Sequence, residues 1–153
     1  MDDALDWFNG LSGKITITLT EPARPVSERV LNLVAPKGAR IATLTLVLRA
    51  YDLPPGDPER YDAEPRELTS AEWARIVLPQ REIRIANQGG VVAHVAPDPA
   101  GFSTRTLAAA IERTERETRE RPDAAWIGGV DVHHIYFEGL FEEEGAYGVA
   151  WGS

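Results

Sequence analysis

The chain has 153 residues, of which 43% are hydrophobic, a formal net charge of −8 and no cysteine. That length supports one globular domain with its own core, and that apolar share excludes a disordered chain or a fibre. The charge works against nucleic-acid binding, which needs clustered Lys and Arg, and the lack of cysteine removes a disulfide framework, a thiol nucleophile and any Cys-based zinc site.

No apolar run approaches the ~18 residues of a membrane span. The N-terminus, Met1-Asp2-Asp3, lacks the basic-then-apolar order of a secretory signal. The expected setting is cytoplasmic, or within an assembled particle, with no membrane contact and no cofactor.

Residues 2–9 start with two acids and carry Leu5, Trp7 and Phe8, which suits a helical turn led by Asp2 or Asp3. Two adjacent aromatics near a terminus need somewhere to dock, either the protein's own core or a neighbouring subunit. Trp7 and Phe8 are therefore candidate interaction residues. Residues 14–20 alternate, with Ile15, Ile17 and Leu19 on one face and Thr16, Thr18 and Thr20 on the other; this is the pattern of a half-buried antiparallel strand. Residues 29–34 and 40–51 read as two more strands joined through Pro36-Lys37-Gly38. Ala42, Leu44, Leu46 and Leu48 would form the core face of the second.

Residues 52–67 hold Pro54, Pro55, Pro58 and Pro65 among acids and arginines. This is a surface loop, either an ordered binding arm or a loose insertion. Tyr51 at its start and Tyr61 within it are the other candidate interaction residues. Thr69-Ser70-Ala71-Glu72 is a capping box, and it predicts a helix through Trp73, Ile76 and Val77 that stops before Pro79. Residues 81–86 and 91–95 form a hairpin around Asn87-Gln88-Gly89-Gly90, with Ile83 and Ile85 inward.

Ser103 or Thr104 caps the longest helix, which runs to about Arg119, with Leu107, Ala108 and Ile111 as its apolar stripe. Beyond the stripe, Glu112, Glu115 and Glu117 precede Arg116, Arg119 and Arg121 by four residues, a pattern that reads as a solvated face. The strongest strand signal of the second half is the β-branched and aromatic run Val130, Val132, Ile135, Tyr136 and Phe137, bounded by Gly128-Gly129 and Gly139. A turn over Gly139 to Gly145 would bring Tyr147 to Trp151 back antiparallel. These elements imply one α+β domain over residues 1–153: a mostly antiparallel sheet of about six to seven strands with two helices packed on it.

The second half also carries Ile83-x-Ile85, Phe102-Ser103-Thr104-Arg105-Thr106-Leu107 followed by Ala110-Ile111, Val130-Asp131, Phe137-x-Gly139-Leu140 and Val149-x-Trp151. In these residues it resembles an uncharacterised domain family abundant in mushroom-forming fungi. Where that family has an arginine before its strand motif, this chain has Gly129. The resemblance spans under half of the chain and rests on packing residues. It implies an α+β fold and no particular chemistry.

Asp131, His133 and His94, with His134 and Glu138 nearby in sequence, are the only candidate metal set. Adjacent histidines on a strand point to opposite faces, so His133 and His134 would not share an ion, and a metal site needs three or four ligands in fixed geometry. Ser103 lacks the flanking glycines of a nucleophile elbow, and the 87–90 turn lacks the lysine of a phosphate loop. The expected role is a non-catalytic structural or protein-interaction one, through a protein partner or self-association, such as a subunit of a larger assembly. The alternatives are an acidic inhibitor of a basic partner, a metal-assisted enzyme using Asp131 and His133, and a small-ligand binder with a pocket between sheet and helix.

Overall fold

The computed structural model describes residues 3–20, 40–52, 64–87, 89–120, 130 and 132–152. The strand expected over 29–34, most of the proline-rich loop, Tyr61 and Asp131 lie outside the described residues. The elements are α1 (Asp3–Asn9), β1 (Ser12–Leu19), β2 (Ile41–Tyr51), β3 (Pro65–Glu67), α2 (Ser70–Ala74), β4 (Ile76–Leu78), β5 (Glu82–Asn87), β6 (Gly90–Val95), β7 (Phe102–Ser103), α3 (Thr104–Arg119), β8 (Tyr136–Glu143) and β9 (Ala146–Gly152). Seven strands form one sheet in the order β3-β2-β1-β8-β9-β5-β6, and β4 pairs with β7 in a second, small one. Every pairing is antiparallel except that of β5 with β9. The fold is α+β, as the sequence implied, with one parallel junction and a third helix at the N-terminus.

The β1–β2 pair follows from alternation. Ile15 lies opposite Leu46 and Ile17 opposite Leu44. Leu44, Leu46 and Leu48 are buried, as expected. Ala42 is not on that face. Thr18 pairs with Thr43 but Leu19 pairs with Ile41, which leaves Ala42 as a bulge that shifts the phase and turns Ile41 inward.

Three expectations about element ends are corrected. The helix predicted to run through Val77 stops at Ala74; its capping box is present, but Arg75 is already extended and Ile76–Leu78 is a strand. Val77 and Leu78 are 0% exposed there, so burying both in a strand that opens with the β-branched Ile76-Val77 outweighs continuing a five-residue helix into Pro79. Residues 65–67, assigned to the loop, form β3 against the end of β2, with Pro65 at the strand's first position, where its missing N–H costs nothing.

The third correction concerns Gly139, which is not a turn. It sits within β8 with φ 116°, directly after Glu138, which the register leaves unpaired as a bulge, and the hairpin continues to Glu143 opposite Ala146. The turn is Glu144-Gly145, both at positive φ, the backbone of a two-residue type I′ hairpin. Residues 132–135 precede the strand instead of belonging to it.

At the N-terminus, Phe8 is fully buried and meets Phe137 edge to face, with ring centroids 5.6 Å apart. Phe8 thus docks on the protein's own core. Asn9 fixes α1 to the β8 bulge: its side-chain Oδ1 accepts the Leu140 N–H at 2.9 Å and its Nδ2 donates to the Leu140 carbonyl at 3.2 Å. Trp7 is partly buried against that core, with the Arg75 guanidinium 4.9 Å above its ring.

Candidate functional site

The site is built on the second half of α3. Ser103 caps the helix by accepting the Thr106 N–H at 3.1 Å. The apolar stripe of Leu107 and Ile111 continues at the same spacing as Thr114, Glu115 and Thr118, all at most 1% exposed, with Arg119 at 7%. The face that charge patterning assigned to solvent is therefore split. Arg113 and Glu117 pair outside in water, whereas Glu115 and Arg119 pair inside.

Arg119 Nε donates to Glu115 Oε1 at 2.9 Å, and Arg119 Nη2 donates to the His134 carbonyl at 2.6 Å. The other Glu115 oxygen accepts Asn87 Nδ2 at 2.8 Å, and Asn87 Nδ2 also reaches the Thr118 hydroxyl. Asn87 Oδ1 accepts the Gly89 N–H at 2.7 Å. One helical turn thus ties together the tip of the β5–β6 hairpin and the segment that enters β8. The Arg119 guanidinium stands 5.4 Å from the ring centre of Trp151, which in turn meets Phe137 edge to face. The Trp151 indole N–H is buried without a hydrogen-bond partner among the described residues.

This network borders a cavity of about 850 Å³. The cavity lies where β5 and β9 part. They pair only at Ile85–Tyr147 and Ala86–Gly148; after that β5 turns into its hairpin while β9 continues to Gly152. Glu115, Arg119, Asn87 and Trp151 line one part, and Phe141, Val91, Ala86 and Gly148 another. Phe141 is 46% exposed and lies opposite Gly148, where a Cβ would come within 2.2 Å of its ring, so the missing side chain makes room for the aromatic. The lining joins the aromatic rings of Phe141 and Trp151 to the buried Glu115–Arg119 pair and to Arg84, Glu143 and Glu144.

A neighbouring flank of α3 serves a different purpose. Glu112 Oε1 accepts the main-chain N–H of Leu46 at 2.7 Å, Arg116 Nη2 donates to the Ala42 carbonyl at 3.0 Å, and Glu120 accepts the N–H of Ile41. These side chains, four residues apart, satisfy the stretch of β2 that lies beyond the reach of β3.

His94, on β6, is 5% exposed, with its Nε2 at 2.7 Å from the Thr114 hydroxyl. That hydroxyl donates its only hydrogen to the Ala110 carbonyl, so His94 Nε2 must carry a proton and donate. Burial, and next the Arg113 charge, lower its pKa. His133 and His134 do not face opposite ways. They lie ahead of β8, where strand alternation does not apply, and their rings meet edge to face at 5.1 Å. Among the described residues no three His, Asp or Glu side chains stand close enough to hold a metal ion. Tyr51, partly buried at the end of β2, lines a second cavity of about 350 Å³ with Tyr136 and Phe137.

The sequence reading missed Glu115, Arg119, Asn87 and Trp151 as a group. The signal was present in part: Thr114, Glu115 and Thr118 keep the helical spacing of Leu107 and Ile111, so the buried stripe outlasts its apolar residues. No described helix is long and apolar enough to cross a membrane. The chain matches no protein-family model, no curated protein and no solved structure.

Proposed function

We propose that this protein acts by binding, with no bond-making centre, and that its binding site is the cavity between β5, β9 and α3. The observation that carries this reading is the state of the charged groups at the cavity's inner end. Both Glu115 oxygens are engaged by protein donors, and Arg119 is committed to Glu115 and to a main-chain carbonyl. Groups locked in this way hold a fixed shape and a fixed field at the site. The walls, Phe141 and Trp151, suit a flat, largely apolar group, and Arg84 suits a negative substituent on it.

The probe that tests this is 8-anilinonaphthalene-1-sulfonate, a flat aromatic anion. The expected result is saturable fluorescence enhancement with the native protein, together with a raised melting temperature. At a hundredfold excess over Kd the gain is about 2.7 kcal/mol, which in a chain of this size is a shift of roughly 5–10 °C. Phe141→Ala removes a half-exposed wall without opening the core, and it should weaken the binding at unchanged fold. No binding to the native protein, or equal binding to Phe141→Ala, overturns the assignment.

A protein-interaction role, as a subunit of an assembly, is the second reading. The observation favouring it is the row of exposed apolar side chains on and beside β6, Val91 and Val95, at 43% and 60% exposure.

A further inference from the structure

We propose that β6 is a self-pairing edge, through which two copies of this chain join their sheets antiparallel about a two-fold axis at Ala93. The inference deepens the interaction reading and rests on it; of the pairing row only Val91 also lines the cavity. The phase of the β5–β6 hairpin decides which backbone groups are available. The Ala96 N–H donates to the Arg81 carbonyl at 2.7 Å, and the register then places Ile83 opposite His94, Ile85 opposite Val92 and Asn87 opposite Gly90. Bonded and non-bonded pairs alternate along an antiparallel ladder. Gly90, Val92 and His94 therefore bond back to β5, while Val91, Ala93 and Val95 turn their N–H and C=O groups outward. β6 ends the sheet order, and among the described residues these outward groups have no hydrogen-bond partner.

The two edges of the sheet are treated differently. At the far edge, β3 is three residues long and reads Pro-Arg-Glu, and the rest of β2 is covered by Glu112, Arg116 and Glu120. Short strands, charges, proline and covered backbone are the means by which proteins keep an edge from pairing. β6 has none of them. Gly90-Val91-Val92-Ala93-His94-Val95 carries no acid, lysine, arginine or proline, its pairing with β5 is free of bulges, and its outward side chains are exposed.

A second copy fits this edge better than an arbitrary strand does. With the axis at Ala93, Val91 faces Val95 of the second copy and Ala93 faces its own counterpart. All three outward-bonding residues then meet outward-bonding residues, and the pairs exchange about six hydrogen bonds. The ladder brings no charges together, although each chain carries −8. The contact uses one patch twice and closes at two copies. Its area is small beside the ~800 Å² per partner of a stable interface, so the dimer is weak and depends on concentration.

Size-exclusion chromatography with light scattering, run as a concentration series, tests this, together with amide hydrogen exchange. The expected result is a mass that climbs from one chain towards two. With it, the amides of Val91, Ala93 and Val95 gain protection, while those of Val92 and His94 are protected throughout. Ala93→Lys puts a charge on the outward row and Ala93→Pro removes an outward N–H; each should hold the chain as a monomer with an unchanged circular dichroism spectrum. A monomer at every concentration, or a dimer that survives Ala93→Lys, overturns the proposal. Ala93 does not line the cavity, so loss of the dimer with the dye still bound, or the reverse, separates this proposal from the cavity assignment.

Discussion

The carboxylate of Glu112 receives the main-chain N–H of Leu46 at 2.7 Å, a helix side chain standing where a neighbouring strand's carbonyl would stand. With Arg116 and Glu120 it makes α3 the guard of one sheet edge. Glu112→Ala leaves the Leu46 N–H without this partner, and a loss of about 1–2 kcal/mol follows. Glu112→Gln keeps an acceptor oxygen and should lose much less. Urea unfolding of both variants checks the order; equal losses would mean that charge, not acceptance, does the work.

Glu115 and Arg119 are 1% and 6% exposed at their side chains. Removing one partner strands the other charge in the interior, so Glu115→Ala or Arg119→Ala should cost about 3–5 kcal/mol. Replacing both by apolar residues of similar size, Glu115→Leu with Arg119→Met, should recover much of that loss, because the burial cost of both charges disappears together. Additive losses in the double variant, again by urea unfolding, would contradict the coupling.

His94 sets a pH dependence whose sign is determined. Its pKa is lowered in the folded state, first by burial and then by Arg113, with Glu117 opposing. The unfolded chain therefore takes up the proton first as pH falls. The stability tied to neutral His94 is complete above its ordinary value near 6.5 and is lost as pH drops from there towards the folded pKa. Unfolding free energies measured from pH 7.5 down to 5 should fall in the native protein and fall less in His94→Gln. Parallel slopes would assign the acid sensitivity to other groups.

The turn joining β8 and β9 places Glu144 at φ 50°, a left-handed conformation that suits Asn or Gly far better than Glu. Glu144→Asn should stabilise the protein by about 0.5–1 kcal/mol, read as a higher urea midpoint at unchanged slope. A destabilised variant would show that the Glu144 side chain makes up for its own backbone cost.

Much of this architecture is legible along the chain. Alternation in Ile15-Thr16-Ile17-Thr18 marks β1, the Thr69–Glu72 capping box marks the start of α2, and Ser103 marks the start of α3. Starts are legible because they depend on a side chain and backbone groups three residues away. Ends are less so. Ile76-Val77-Leu78 became a strand because Phe102 and Ser103 pair with it from more than twenty residues away, and the turn moved from Gly139 to Glu144-Gly145 because β9 could pair as far as Ala146.

The candidate site shows the same division. Local sequence determined that α3 would carry a run of Glu and Arg at four-residue spacing, and that Trp151 would close a strand of β-forming residues. Only the tertiary structure decided that Glu115 and Arg119 face the interior while Arg113 and Glu117 face water. The helical period assigns each residue to a side, but it cannot say what stands on that side. Here it is the splay between β5 and β9, produced by strands some sixty residues apart in sequence, that turns an ordinary ion pair into the inner wall of a cavity.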